Sequence, residues 1–465
     1  MGRRRRQERD PLRWVIAGFA LALALVLVAA GALLLPRVLA DPEVRAQPSP
    51  APSPSPTPEP SPVLLPGNSA GRVPTAAGLA AVLAGPLADR RLGGRLSYTV
   101  VDVRTGAALA GASPARLVAP ASVAKVITAA AVLAAMGPAA RIPTRVVAGT
   151  APGDVVLVGG GDPTLSVGAV QSYPGAARLD ILATAVRKAY GAPVRRVIVD
   201  GAAFPGATTG PGWDSDVVSG GFVAPITAVM VDGGRVNPRR AQRSPAPDLF
   251  AGQAFARLVG APAAAVTRGT APATGRELAR VTSAPIATIV EQMLAPSDNV
   301  LAEALIRQVA IAGRVPADFA GSIAAVRAIL TRIGLDVTGL RLSDGSGLSR
   351  LNMLSPATVT SLLVAAAGDS HPQLRPLLAG LPVAGFSGTL DNRFRTASQR
   401  PAAGQVRAKT GSLSGVSTLA GVVRDIDGRL LAFAVLADRV PPGGIVSAEV
   451  ALDRIAASLA RCGCG

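Results

Sequence analysis

Lysine occupies only three positions in this chain of 465 residues, Lys125, Lys188 and Lys409, although lysine and arginine together number 47. Lysine can lose its proton when it is buried, whereas arginine stays charged. A chain that uses arginine almost everywhere else is therefore expected to keep lysine where a neutral amine has a chemical task. Two of the lysines lie in short strings with serine or threonine: Ser122 stands three residues before Lys125, and Thr-Gly-Ser follows Lys409 directly.

The first string has the composition of an activated serine. A serine hydroxyl is a weak nucleophile until an adjacent base accepts its proton. An apolar run from Val123 to Met136, ended by Gly137, predicts a buried helix. Ser122 and Lys125 then lie on one face of that helix, with Cβ atoms about 5 to 6 Å apart. Burial and a second lysine nearby lower the pKa of an amine, so Ser122 is the candidate nucleophile and Lys125 the candidate base.

Two further strings supply partners for this pair. Ser297, Asp298 and Asn299 precede a predicted helix over residues 300–309. The Ser297 hydroxyl can relay a proton and the Asn299 amide can bind a peptide backbone, although each also suits an ordinary helix cap. In the third string, the amine of Lys409 on an edge strand can hold a substrate carboxylate while an extended peptide lies along that edge. The candidate substrate-binding residues beside it are Thr410, Gly411 and Ser412.

The scarcity of other catalytic side chains excludes several classes of function. The chain has one histidine, His371 in a polar turn, so a Ser-His-Asp triad has a single candidate. Cys462 and Cys464 are the only cysteines, which disfavours a cysteine nucleophile and a zinc site, and their pairing stays open. The net charge of +18 comes from scattered arginines, and aromatic residues make up 3%. We therefore expect no metal, no cofactor and no nucleic-acid partner.

The N-terminal segment is expected to hold the folded part at a membrane. Residues 1–13 form a basic tail, residues 14–35 are an uncharged apolar run of 22 residues, and residues 36–74 include a tract in which proline alternates with small residues. About 20 apolar residues are enough to cross a bilayer as a helix, and the basic side stays in the cytoplasm. We expect a single-pass signal anchor in the cell membrane, a semi-rigid polyproline spacer and an extracytoplasmic catalytic domain. A cleaved signal peptide, cut near Ala40, is the rival interpretation.

The remaining chain predicts one catalytic domain in two parts, residues 75–145 and residues 282–465. Near the far end, two alternating apolar runs flank Asp427-Gly428, the pattern of a β-hairpin. One predicted helix opens the domain and another closes it, which favours a mixed α+β and α/β fold: an antiparallel sheet with helices on both faces. Glycine-rich turns separate short β-like runs in residues 146–281, so this segment is expected to be a mainly β inserted module.

The ordered trio resembles the S-x-x-K, S-D-N and K-T-G motifs shared by penicillin-binding proteins and class A β-lactamases. Three further strings, at residues 160–165, 344–350 and 385–390, are similar to those of the D-alanyl-D-alanine carboxypeptidases and endopeptidases of the class C low-molecular-mass penicillin-binding proteins, peptidase family S13. This resemblance runs from about Thr75 to Leu459. It implies the serine β-lactamase and penicillin-binding-protein fold, with a large insertion between the first two motifs.

The resemblance also implies an activity. Members of the family form an acyl-enzyme on the D-Ala-D-Ala end of a peptidoglycan stem peptide or on a cross-bridge, and then hydrolyse it; β-lactams acylate the same serine and act as covalent inhibitors. It further implies that Arg350, with an aspartate after Trp213, contacts the charged end of a diaminopimelate side chain. Asp214 and Asp216 both follow Trp213, and Asp216 is the favoured match, whereas solvated turn residues are the other interpretation.

Two other functions stay open from the sequence. A β-lactamase-like hydrolase shares the three motifs, but class A enzymes release their acyl-enzyme with a glutamate, and this chain has no glutamate from Ala304 through Ala448. A catalytically silent wall protein that only binds peptidoglycan is expected to lose motif residues, and here all of them are present. The sequence therefore favours a serine DD-peptidase.

Overall fold

The computed structural model describes residues 71–465. Its strands are β1 Leu96–Asp102, β2 Ala108–Ala112, β3 Pro143–Ala148, β4 Asp154–Gly159, β5 Arg196–Asp200, β6 Val266–Arg268, β7 Glu277–Thr282, β8 Val406–Leu413, β9 Val416–Arg424 and β10 Leu430–Ala437. Its α-helices are α1 Ala76–Leu87, α2 Ala124–Met136, α3 Leu179–Tyr190, α4 Pro247–Val259, α5 Ile286–Leu294, α6 Asn299–Ala312, α7 Phe319–Arg332, α8 Pro356–Ala367, α9 Arg375–Gly380 and α10 Ile445–Ala460. Short 3-10 turns connect several of them.

The catalytic part is built on an antiparallel sheet with the order β2-β1-β10-β9-β8. Successive side chains of a strand point to opposite faces, and the central strand β10 follows this rule. Leu431 and Phe433 join the core that α1 and α10 cover, whereas Ala432 and Ala434 join the core that contains α2 and α8. The predicted hairpin around Asp427-Gly428 and the predicted layering of helices on both faces are confirmed.

The helix that carries the first motif runs through the centre of the molecule. A 3-10 turn at Ala121–Val123 leads into α2, and all residues from Ala124 to Leu133 are buried. Gly137 ends the helix, and its N–H donates to the Leu133 carbonyl at 3.0 Å. An apolar surface on all sides suits this position because other helices pack around it. The predicted helix is confirmed, and Lys125 lies within its buried length.

A second sheet is formed by the segment between Pro143 and Thr282. Its order is β6-β5-β4-β3-β7, with β4, β5 and β6 parallel and β3 antiparallel to both of its neighbours. Helices α3 and α4 pack on it around a separate core that includes Leu182, Val197 and Phe255. The segment is therefore a mixed α/β layer, which differs from the mainly β module predicted. Buried residues at positions 179, 182, 183 and 186 of α3 have the helical period.

The two ends of the described chain meet. Thr75 caps α1, and both its N–H and its hydroxyl donate to the Cys464 carbonyl at 2.9 Å. Cys462 and Cys464 are joined as a disulfide. No helix within residues 71–465 is long and apolar enough to cross a membrane. The predicted basic tail, the predicted membrane anchor and most of the predicted spacer fall on residues 1–70, outside the described part of the chain.

Candidate active site

The serine and lysine of the first motif are in direct contact. Ser122 lies in the 3-10 turn that precedes α2, and Lys125 lies in the first turn of the helix. Lys125 is completely buried, and its Nζ lies 2.9 Å from Ser122 Oγ. A base must come within about 2.6 to 3.2 Å of the proton-bearing atom to accept its proton directly. The pair therefore has the geometry of a nucleophile and its base.

Two more acceptors surround the same amine. Lys125 Nζ donates to Asn299 Oδ1 at 2.6 Å and to the Ser346 carbonyl at 2.7 Å. The amide of Asn299 is oriented in turn, because its Nδ2 donates to the Phe222 carbonyl at 3.0 Å. The first and second motifs thus share one hydrogen-bonded centre. Their serines, Ser122 and Ser297, are 175 positions apart in the sequence.

Both motif lysines lie in surroundings that favour a neutral amine. Burial lowers the pKa of Lys125 to about 8, although the charges of Asp344, Glu303 and Asp298 act in the opposite direction. Burial, followed by the charges of Lys125 and Arg393, holds the pKa of Lys409 well below its ordinary value. Desolvation penalises the ammonium form of each lysine, and like charges add to that effect. The predicted direction of the Lys125 shift is the one found.

The third motif lies on the edge strand β8, as predicted. Lys409 is buried, and its Nζ donates to the Thr410 carbonyl at 2.8 Å. The Thr410 hydroxyl donates to Thr389 Oγ1 at 2.8 Å. A Cβ added at Gly411 would lie 2.7 Å from the Pro120 carbonyl oxygen, so β8 approaches the nucleophile turn as only glycine allows. Ser412 is exposed, and its hydroxyl donates to Glu449 Oε1 at 2.8 Å.

Ser297 is held in a conformation that side chains rarely adopt. Its φ is 62°, in the left-handed region, and such backbone strain concentrates at functional sites. The residue is half-buried in the loop between α5 and α6 and borders the same cleft as Asn299. The structure therefore brings Ser122, Lys125 and Asn299 into direct contact, with β8 alongside and Ser297 two residues before Asn299.

Asp298, the central residue of the second motif, is clamped by the second-sheet segment. Its carboxylate accepts a hydrogen bond from the Tyr173 hydroxyl at 2.8 Å and pairs with Arg235 at 3.2 Å and Arg243 at 3.6 Å. It also caps α6 by accepting from the N–H of Val300. Burial acts to raise the pKa of Asp298, but the charges of Arg243 and Arg235 outweigh it, so the pKa is lowered.

A buried acid pair, Glu303 and Asp344, lies beneath Lys125, and the sequence motifs assign it no role. Glu303 accepts from the N–H of Gly345 at 3.1 Å and from the N–H of Ser346 at 2.7 Å. Asp344 accepts from the Trp213 Nε1–H at 2.8 Å. Burial raises the pKa of Glu303 to about 8, and the charge of Asp344 acts in the same direction. A glutamate inside the otherwise apolar start of α6 was the available signal.

The ion pair of Arg350 differs from the one favoured by the sequence. Arg350 pairs with Asp214 at 3.0 Å and also donates to the Ser414 carbonyl at 3.2 Å. The Asp214 side chain, the first after Trp213, reaches the guanidinium, whereas Asp216 is exposed and its carbonyl accepts from the N–H of Gly220 at 2.7 Å in a turn. The carboxylate beside Arg350 is therefore that of Asp214 rather than that of Asp216.

A cavity of about 740 Å³ opens beside the second motif. Its wall combines the second-sheet segment, the following loops and α5. We call it the α5 cavity, and its lining residues are Ser172, Tyr173, Pro174, Phe222, Arg235, Arg243, Thr288, Glu291, Gln292, Ala295, Pro296, Ser297, Asp298 and Asn299.

Solved structures share this fold. Penicillin-binding protein 4 of Haemophilus influenzae aligns with a TM-score of 0.68 at 22% identity, covering 82% of this chain and 98% of that one. The same protein in complex with a β-lactam aligns with a TM-score of 0.62 at 21% identity, covering 81% and 98%. The fold is thus that of a penicillin-binding protein, and the three motifs meet in it as a serine-lysine site.

The sequence comparisons narrow this class. The profile of the D-Ala-D-Ala carboxypeptidase 3 (S13) family matches residues 79–247 and 239–459. A carboxypeptidase of Mycobacterium tuberculosis is 43% identical over 86% of this chain and 87% of its own length. Carboxypeptidase DacB of Mycolicibacterium smegmatis is 43% identical over 86% and 88%. The chain belongs to the S13 family and is a serine-type D-Ala-D-Ala peptidase.

Proposed function

We propose that Ser122 is the residue that this peptidase acylates and that Lys125 is its base. The observation that carries the proposal is the buried Lys125 amine, with its pKa lowered to about 8, lying 2.9 Å from Ser122 Oγ. A neutral amine at that distance can take the hydroxyl proton as the oxygen attacks. The substrate is the D-Ala-D-Ala end of a peptidoglycan stem peptide or the corresponding bond of a cross-bridge.

The other motif residues have distinct roles in the same reaction. Ser122 Oγ forms a bond to the carbonyl carbon, and the C–N bond breaks as Ser297 passes the proton from Lys125 to the departing amine. Asn299 binds the substrate backbone. The backbone N–H groups of Ser122 and Ser412 stabilise the oxyanion. Water then adds its hydroxide to the acyl carbon and returns a proton to Ser122.

The edge strand β8 holds the substrate on its departing side. Lys409 contributes N–H groups and Thr410 a hydroxyl to the terminal carboxylate, and Gly411 lets the strand lie close to the nucleophile turn. An extended peptide pairs with such an edge through its main chain.

The acyl-side subsite is formed by Arg350 with an aspartate. Arg350 and Asp214 present opposite charges at a half-exposed position, which suits the amine and the carboxylate at the end of a diaminopimelate side chain. Asp214 is the first choice for the aspartate because of its contact, and Asp216 is the alternative.

β-Lactams are proposed to acylate Ser122 and to be released slowly. The glutamate closest to the second motif in sequence, Glu303, is fully buried and occupied by the Gly345 and Ser346 N–H groups. It is therefore not free to hold a water against the ester.

The chain is further proposed to be anchored in the cell membrane by residues 14–35, with its catalytic domain outside the cytoplasm.

Replacing the nucleophile tests the function. Ser122→Ala is expected to abolish both labelling by a fluorescent penicillin and release of D-alanine from a pentapeptide, because the variant lacks the hydroxyl proposed to form the ester. Labelling is read on a denaturing gel and D-alanine by mass spectrometry. Persistent labelling of the folded variant would falsify the assignment of Ser122.

A further inference from the structure

We propose that the α5 cavity is the subsite for the peptide strand on the departing side of the scissile bond, so that the enzyme engages cross-bridges through it. This inference rests on the proposed function. It adds a binding surface for a second peptide strand, which presents amide N–H groups and a carboxylate.

The position of the cavity follows from a chain of contacts that begins at the carboxylate-binding strand. Thr410 donates to Thr389 Oγ1 at 2.8 Å, and the N–H of Thr389 donates to the Ala295 carbonyl at 3.0 Å. Ala295 lines the cavity, as does Ser297, the proposed proton donor to the departing amine. The cavity therefore adjoins the groups that handle the departing residue.

The acyl-side subsite lies elsewhere in the cleft. Arg350 donates to the carbonyl of Ser414, in the turn that follows β8, and neither Arg350 nor Asp214 lines the cavity. The Arg350–Asp214 pair and the α5 cavity are thus two separate surfaces, and we assign one to each side of the scissile bond. An enzyme that released only D-alanine would need the acyl-side subsite and the carboxylate-binding residues of β8, but it would not need the α5 cavity.

The size of the cavity exceeds what a single departing residue fills. Its volume is about 740 Å³, within the range of about 300 to 1,000 Å³ of pockets that enclose drug-sized ligands. D-Alanine carries only a methyl side chain, so most of this space would stay unused by it. A second peptide strand attached to the departing amine is long enough to occupy the space.

The lining offers groups that match a peptide strand. Gln292 Nε2 donates to the Pro174 carbonyl at 2.8 Å, whereas Gln292 Oε1 is buried and has no hydrogen-bond partner within residues 71–465. Buried acceptors are nearly always satisfied, so the proposal requires the Gln292 amide to turn towards a peptide N–H when the strand binds. Phe222 has 61% of its surface exposed, and it provides an apolar wall for the strand.

Arg235 supplies the cation for a carboxylate. Its N–H groups donate to the Tyr173 hydroxyl, the Asp232 carbonyl and Asp298 Oδ2. A guanidinium has five N–H donors, so donors remain for a ligand. Arg235 and Arg243 both pair with Asp298, and the buried carboxyl group of Asp232 also lies near Arg235. Glu291 at the exposed rim is placed for an amino group of the same strand.

The test compares two substrates in two cavity variants. Thr288→Trp narrows the cavity, and Gln292→Leu removes the buried acceptor. For the full chain and each variant, kcat/KM is measured with a pentapeptide and with a cross-linked peptide dimer. We expect the ratio of dimer to pentapeptide kcat/KM to fall at least tenfold in each variant. Thr184→Trp, at an exposed position on α3, is the matched control and is expected to keep the ratio of the unsubstituted chain.

Three results separate the possibilities. An unchanged ratio in both folded cavity variants, or no cleavage of the dimer by the unsubstituted chain, overturns the subsite. In either case, pentapeptide hydrolysis and Ser122-dependent penicillin labelling would still support the proposed function. If the unsubstituted chain neither hydrolyses the pentapeptide nor is labelled by penicillin, the proposed function is overturned, and the subsite with it. Melting temperatures and penicillin labelling show that each variant is folded.

Discussion

At the scale of single residues, two opposing effects determine the pKa of Lys125. Complete burial removes water from the ammonium and lowers its pKa, while Asp344, Glu303 and Asp298 stabilise the charge and limit the shift, leaving a pKa of about 8. An amine in this range can accept a proton and return it near neutral pH. This balance explains why a chain rich in arginine keeps a lysine here.

Substituting this amine by a guanidinium tests its role. Lys125→Arg is expected to lower the rate of acylation by a fluorescent penicillin at least a hundredfold, because arginine keeps its charge and cannot act as the base. Stopped-flow or gel-based labelling measures the rate. Lys188→Arg, at an exposed position on α3, is the matched control and is expected to retain the normal rate. Near-normal acylation of Lys125→Arg would remove Lys125 from the role of base.

The pH dependence of acylation follows from the same pKa. The neutral form of Lys125 is the active one, so protonation as the pH falls below about 8 is expected to lower the acylation rate about tenfold per pH unit. Above that pH the rate levels off. Second-order labelling rates between pH 5.5 and 9.5 measure the profile. A rate that rises towards acid would contradict a lysine base.

At the scale of structural elements, the loop at residues 344–350 holds the nucleophile turn from below. The Thr128 hydroxyl donates to the Gly345 carbonyl at 2.6 Å, and the Ser346 carbonyl accepts from Lys125. Gly347 has φ 85°, and a Cβ there would lie 1.8 Å from the Ala121 carbonyl oxygen. Ala121 itself has φ 47°. The loop and the nucleophile turn therefore fit together only because Gly347 has no side chain.

Adding one methyl group at this contact tests that fit. Gly347→Ala is expected to lower penicillin acylation at least a hundredfold, because the new Cβ must displace the turn that carries Ser122. Acylation rate and melting temperature are measured together. Gly443→Ala is the control: its φ is also positive, but nothing lies within 4 Å of the added Cβ, so only a backbone cost of about 1 to 3 kcal/mol is expected. Equal effects of the two substitutions would refute the contact argument.

The second-sheet segment acts on the site through the second motif. Tyr173, Arg235 and Arg243 all reach Asp298, whose neighbours Ser297 and Asn299 border the cleft. A buried carboxylate is stable only when it is paired and hydrogen-bonded. The segment thus keeps the start of α6 in place in addition to walling the α5 cavity. The sequence pattern indicates the segment but not its contact with the second motif.

At the scale of the whole molecule, the two ends of the described residues 71–465 are held together. Thr75 is tied to Cys464, and the Arg429 Nη1 donates to the Gly71 carbonyl at 3.4 Å. The site is assembled from residues between Pro120 and Ser412, far from residues 1–70 in sequence. The N-terminal segment is therefore expected to determine location rather than chemistry.

Removing that segment separates the two properties. A chain that begins at Gly71 is expected to hydrolyse pentapeptide with the kcat/KM of the full chain in detergent, within about twofold, because the site residues are all retained. The full chain is expected in the membrane fraction and the shortened chain in the soluble fraction. Fractionation with penicillin labelling measures both. A full chain found only in the soluble fraction would contradict the anchor.

The sequence alone was enough to identify the chemistry. Local spacing predicted that Ser122 and Lys125 share a helical face, and the resemblance of the three ordered strings to known motifs predicted that Ser297, Asn299 and Lys409 join them in one centre. Hydrophobic periodicity likewise predicted α2 and the β9–β10 hairpin. These are short-range properties, readable within one turn of helix or one pair of strands.

Other features were decided only by the tertiary structure. The choice of Asp214 beside Arg350, the grip of Tyr173, Arg235 and Arg243 on Asp298, the acids beneath Lys125 and the α5 cavity all depend on contacts between residues far apart in the chain. A local pattern does not encode which distant charge or carbonyl faces a side chain, since burial and pairing arise when the layers pack. The lowered pKa of Lys125 is the clearest case, because it exists only inside the assembled core.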